Sequence, residues 1–107
     1  GSCQAIAMLI RQYIGWERSA PWLIAAADGQ ASQIPKDYQS LDIYRAFFAD
    51  RALYQAGGKP WLAWRIQVHK LIIKSQRKDG DYNGSWDNNG SPTDVGGRAL
   101  NTALLNF

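Results

Sequence analysis

The pentapeptide Pro21-Trp22-Leu23-Ile24-Ala25 returns 39 residues later as Pro60-Trp61-Leu62-Ala63-Trp64. Each copy follows a glycine stop, Gly15-Trp16 before the first and Gly57-Gly58 before the second. Proline suits the first turn of a helix, where its missing N–H has no intrahelical partner to lose. Glycine suits the position just past a helix end, where a positive φ is needed. The echo therefore marks the second helix of two successive helical pairs. A chain that repeats helix, glycine stop and Pro-Trp helix with a period near 40 residues is expected to stack α-hairpins side by side.

Hydrophobic spacing supplies the remaining elements. A first helix is expected from about Cys3 to Ile14, with Ile6, Leu9, Ile10, Tyr13 and Ile14 at helical intervals. The second opens at Ser19, a good N-cap, and is expected to stop near Asp28-Gly29, with residues 30–39 a polar loop. The third spans about Ser40 to Ala56. The fourth runs from Pro60 to about Lys78 on a stripe of Trp61, Trp64, Val68, Leu71 and Ile72. A fifth starts near Gly97. Loop signals, Asp28-Gly29 and Asp79-Gly80, follow the second helix of each pair. No segment alternates as a strand would. The expected fold class is all-α, built of antiparallel α-hairpin repeats.

Residues 3–107 are expected to form a single repeat domain of about two and a half hairpins. Gly1-Ser2 resembles the remnant of a cleaved tag, and the chain is expected to be a piece of a longer array. Its array edges are expected either to stay exposed or to be covered by association into a homo-oligomer. The basic residues are scattered, apart from Lys74 to Lys78 at a helix end, where cations favour the macrodipole. Neither a nucleic-acid module nor a concentrated basic stripe is present, so nucleic acid is not an expected partner. No run approaches the ~20 apolar residues of a membrane span. One cysteine, Cys3, can form neither an intrachain disulfide nor a cysteine-based metal site.

The segment after the fourth helix carries a more specific signal: Gln76, Asp79 and Gly80, then Gly84, Ser85 and Trp86. This resembles the QW motif of squalene and hopene cyclases and related prenyltransferase-type repeats, with an insertion at Asp81 to Asn83. Gly97-Arg98 before Thr102-Ala103-Leu104-Leu105, and Arg11-Gln12 before Gly15-Trp16, extend the resemblance to bacterial squalene-cyclase-like repeat proteins over nearly the whole chain. The resemblance implies an α/α toroid, or a fragment of one, in which inner and outer helices alternate around a cavity. Physically the motif is suited to be a clasp. The Gln76 amide can satisfy orphan groups at a helix end, Asp79-Gly80 can turn the chain, and Trp86 can stack on the amide and seal the junction.

Catalytic and metal chemistry is harder to assemble. The Asp-x-Asp-Asp acid of such cyclases does not occur; Asp79, Asp81, Asp87 and Asp94 are dispersed. A calcium loop starting at Asp79 would have Gly84 in place but Gly90 where a bidentate glutamate is required. His69 and Cys3 have no zinc-ligand spacing, and His69 is expected to be a partly exposed surface histidine. No catalytic residue, metal or cofactor is therefore assigned. The candidate ligand surface is the aromatic band of the third helix, Tyr44, Phe47, Phe48, Arg51 and Tyr54, joined by Arg98 and by Arg11, Tyr13 and Asn101. Aromatics with interspersed arginines suit an extended isoprenoid, glycan or peptide. The competing reading places Phe47 and Phe48 in the core and leaves the arginines solvated or paired with Asp42 and Asp50. Three functions follow: a non-catalytic scaffold binding a ligand or a protein partner, a segment of a cyclase- or prenyltransferase-like enzyme with its catalytic residues elsewhere, or a packing module.

Overall fold

The structure, a computed structural model, describes residues 2–107. Gly1 of the expected tag remnant lies outside the described residues. The chain is all-α: 71% is helical, with no strand among the described residues. The helices are α1 (Ser2–Tyr13), α2 (Pro21–Ala31), α3 (Ile43–Ala56), α4 (Gly58–Trp64), α5 (Lys70–Ser75) and α6 (Gly97–Leu105). A π-helical turn, Arg65–His69, joins α4 to α5, so that residues 58–75 form one continuous rod.

That wide turn has a cause in the sequence. The buried residues of the rod are Trp64, Val68 and Ile72, spaced by four. At 3.6 residues per turn each four-residue step drifts by about 40° around the axis. A turn containing more residues takes up the drift and keeps all three on one line. The rod can therefore lie straight against its neighbours.

Small residues set the main contact of the fold. Ala46, Ala49 and Ala52 form a fully buried stripe at three-residue spacing on α3, and Ala5 and Met8 on α1 are equally buried. α1 packs most extensively on α3, which continues onto α6, while α2 packs on α3 and α4. Thus α1, α3 and α6 form one row, with α2 and the rod laid against it. The connection from α3 to α4 is Gly57 alone, at φ 68° and ψ −163°, a conformation that only glycine adopts without strain. The result is elongated, 47 × 24 × 18 Å.

Several expected boundaries are corrected. α2 begins at Pro21 with Ala20, not Ser19, at the cap, and no side chain caps it. It continues through Asp28-Gly29 to Ala31, so that pair is no loop signal and its match to Asp79-Gly80 fails. Gly29 lies where α1 crosses: a Cβ there would sit 3.4 Å from Gln4 Oε1. The glycine is a helical residue in ordinary contact with Gln4 rather than a stop. Gln30, expected in a polar loop, is fully buried, accepting from Arg45 Nε at 2.9 Å and donating to Gln4 at 2.8 Å. α3 starts at Ile43, where the Asp42 side chain accepts from the Arg45 N–H; Ser40 ends a separate 3-10 turn, Tyr38–Ser40. The rod stops at Ser75, because Gln76 turns extended, at ψ 132°.

Candidate functional site

The third helix presents part of the expected aromatic surface. Tyr44 meets Phe48 edge-on at 5.0 Å, Phe48 meets Phe47 edge-on at 5.1 Å, and the Arg51 guanidinium lies 3.8 Å above the Phe47 ring. Edge-to-face pairs are the geometry aromatic quadrupoles prefer. Arg51 donates back to the Phe47 carbonyl at 3.2 Å, and no carboxylate pairs with it among the described residues. Tyr44 then continues into an apolar groove of about 300 Å³ lined with Pro92, Thr93, Val95 and Leu100. Val95 is 96% exposed.

The competing reading of this face is only partly right. Phe48 does pack on the core, but the core stripe of α3 is Ala46, Ala49 and Ala52. Arg51 is exposed, as that reading allowed, while Asp50 pairs with His69 and not with an arginine. The arginine tied into this side of the helix is the half-buried Arg45, with its guanidinium 5.5 Å from the Trp64 ring and bonded to Gln30 and Gln33.

The other proposed lining residues lie elsewhere. Tyr54 is exposed near the far end of α3 and stacks edge-on against Trp61 at 5.4 Å. Arg11 covers Trp22 at 4.0 Å and Trp16 at 5.2 Å, at the turn between α1 and α2. Arg98 joins the loop motif, donating to Ser85 Oγ at 2.9 Å, pairing with Asp87 at 2.5 Å and lying 4.2 Å above the Tyr82 ring. Asn101 is fully buried.

The loop motif is a clasp, with its two principal side chains in roles other than those expected. Trp86, not Gln76, serves the helix end: its indole N–H donates to the Ile72 carbonyl at 2.8 Å. The regular donor for that carbonyl, the Gln76 N–H, is turned to Ile73 at 3.4 Å. Gln76 instead ties the loop to itself, donating to the Gly84 carbonyl at 2.9 Å. Gly84 and Ser85 pair with the Arg77 backbone, and Gly80 opens the 3-10 turn Gly80–Tyr82 at φ 52°. Arg77 is forked between Asp79 and Asp87. Its bonds hold the Asp79 carboxyl below the ordinary carboxylate value, and Arg98 followed by Arg77 does the same for Asp87.

Next to the clasp lies a polar clamp that the sequence reading passed over. Asn89 donates to the carbonyls of Tyr38 at 2.6 Å and Leu41 at 2.8 Å, and accepts from Ser91. Ser91 Oγ donates to the Leu41 carbonyl and receives the Ile43 N–H. Asp94 accepts from the backbone of Asn89 and Gly90 and from Asn101, and Asn101 also accepts from Thr93 Oγ1 at 2.6 Å. The Asn101 bond, ahead of those backbone bonds, holds the Asp94 carboxyl low. Tyr38 donates to the Asp87 carbonyl, and burial pushes its hydroxyl up to about 12. The density of Asn, Ser, Thr and Asp over residues 87–94 is the available signal, since such side chains compete for backbone groups.

One further constellation was missed. Asp50 Oδ1 accepts both from the Trp64 indole at 3.0 Å and from His69 Nε2 at 2.6 Å. His69 is partly exposed, as expected, and the pairing with Asp50 on another helix is what the sequence did not show. Among the described residues no group of three or more His, Cys, Asp or Glu is placed to hold a metal ion. No described helix is long and apolar enough to cross a membrane. No family model, curated protein or solved structure matches the chain.

Proposed function

We propose that the protein is a non-catalytic α/α-repeat scaffold of the squalene-cyclase-like type that binds an elongated ligand with an apolar body and an anionic end. The observation that carries the reading is the continuity of the Val95–Leu100–Tyr44 groove with the Phe48–Phe47 ladder, closed by the unpaired Arg51 cation. From Tyr44 to Arg51 the helix rises about 10 Å, enough for three extended residues of a peptide or a short isoprenoid chain. The apolar body would cover the rings, and the acidic end would take the guanidinium on Phe47. The repeat reading is supported by the row of α1, α3 and α6 with α2 and the rod behind it, the order expected of stacked hairpins.

The test is a binding screen on the intact chain with farnesyl monophosphate, an acidic-aromatic hexapeptide and a linear glucan. Binding of either acidic probe, lost in Phe47→Ala and Arg51→Ala with the helical circular dichroism unchanged, supports the reading. Binding of the glucan alone would replace it with a carbohydrate site. If nothing binds and light scattering shows a dimer disrupted by Val95→Glu, the face is a packing surface between copies.

A further inference from the structure

A cavity of about 180 Å³ opens between the rod and the segment after α6, lined by His69, Ile72, Ile73, Gln76, Trp86, Leu105, Asn106 and Phe107. It is separate from the α3 ladder and from the polar clamp. Two of its polar groups, on His69 and Gln76, have partners that orient them. A carboxylate offers only acceptors, so in a neutral His69 ring the Asp50 bond places the proton on Nε2 and leaves Nδ1 a lone pair. No described residue donates to Nδ1. The second donor to Asp50, the fully buried Trp64 indole, holds the carboxylate in place. The ring is held between Trp61 at 5.6 Å and Phe107 at 5.5 Å. His69 is also the last residue of the π turn, and such widened turns recur at functional sites. At the other side Gln76 has used one amide N–H on Gly84, leaving its second N–H and its carbonyl oxygen.

The cavity therefore offers an acceptor at Nδ1 and both a donor and an acceptor at Gln76, set among Ile72, Ile73, Leu105 and Phe107. A hydroxyl, which donates and accepts, matches that pair. A carboxylate has no proton to give the Nδ1 lone pair. A cation would enter beside a helix whose charged residues, Lys59, Arg65, Lys70 and Lys74, are all basic. Apolar cavities of ~150 Å³ are known to hold a benzene ring. We propose that this cavity is a binding site for a small neutral ring bearing a hydroxyl, a phenol-class ligand whose O–H is received by His69 Nδ1.

The experiment is an NMR titration of the chain with phenol, toluene, benzoate and benzylamine, reading the His69 ring nitrogens and the methyls of Ile72, Ile73 and Leu105. Long-range correlations in the free protein should show the Nε2–H tautomer. Phenol should shift Nδ1 and bind about tenfold more tightly than toluene, one hydrogen bond's difference. Benzoate and benzylamine should bind more weakly than phenol. His69→Phe should abolish the preference for phenol. Ile73→Trp, which partly fills the cavity from its exposed rim, should weaken phenol and toluene alike. Should His69→Phe not fold, the tautomer and Ile73→Trp measurements still decide. An Nδ1–H tautomer, equal affinity for phenol and toluene, tighter benzoate or benzylamine, or shifts confined to other sites would overturn the proposal.

Discussion

Replacing Trp86 separates what its hydrogen bond contributes from what its bulk contributes. Trp86 is 4% exposed and its indole N–H reaches the Ile72 carbonyl at 2.8 Å, which the Gln76 N–H has abandoned. Trp86→Phe keeps most of the apolar contact but leaves that carbonyl buried without its donor. An orphaned buried acceptor costs about 1–3 kcal/mol. Trp86→Ala adds the lost burial and a cavity, for a total of about 3–5 kcal/mol. In a domain of this size each kcal/mol lowers Tm by roughly 4–8 °C. Urea unfolding followed by circular dichroism gives both values, and an unchanged m-value would show that the unfolded state is unaffected. A Trp86→Phe variant within 0.5 kcal/mol of the parent would refute the assignment of Trp86 as the donor that finishes the helix.

Two glycines should respond in opposite directions. Gly96→Ala puts a Cβ 2.5 Å from Leu100 Cβ and should destabilise by about 1–3 kcal/mol in the same urea assay. Gly29→Ala, in mid-helix with only ordinary contact to Gln4, should stabilise by about 0.5–1 kcal/mol. Asn89→Ala removes the donor to two carbonyls and the acceptor for Ser91, and should cost about 2–3 kcal/mol in thermal melts. The Asp79, Asp87 and Asp94 carboxyls are held below their ordinary value. Their stabilisation is complete above the unfolded value near 3.9 and is lost as pH falls through the lower folded values. Stability measured against pH should therefore hold level above about pH 5 and decline below about pH 4. Asp94→Asn should lower stability at pH 7 and flatten that decline.

The helices were legible because amphipathic spacing and glycine stops are local properties. What was misread depends on neighbours far along the chain. Gly29 signals a turn in isolation, yet the crossing of α1 makes it a contact residue inside α2. Gln30 is polar enough for a loop, and only Arg45 and Gln4 explain its burial. The Tyr44 to Arg51 part of the aromatic surface follows from helical period alone, so it was read correctly as one face. Arg98 was not, because its position depends on a loop whose course is fixed by Gln76 and Asp87. His69 was judged by its place at the edge of a stripe. Its partner Asp50 sits on another helix, and the four-residue spacing of Trp64, Val68 and Ile72 that marks the π turn reads in isolation as an ordinary helical stripe.

The two ends of the molecule are held by different forces. Of the side chains beyond Gln76, only Trp86 and Leu105 join the buried apolar core. The rest of that segment is fastened by the Asn89, Ser91, Asp94 and Asn101 bonds to residues 38–43 and α6. Directional bonds with little apolar area behind them carry little heat capacity and little urea sensitivity. Residues 76–107 are therefore expected to open before the alanine-lined row of α1 and α3, with a shallower denaturant slope in hydrogen exchange. Opening them would uncover the far wall of the His69 cavity and carry away Phe107 and Trp86, so ligand entry is tied to the helix end that Trp86 finishes.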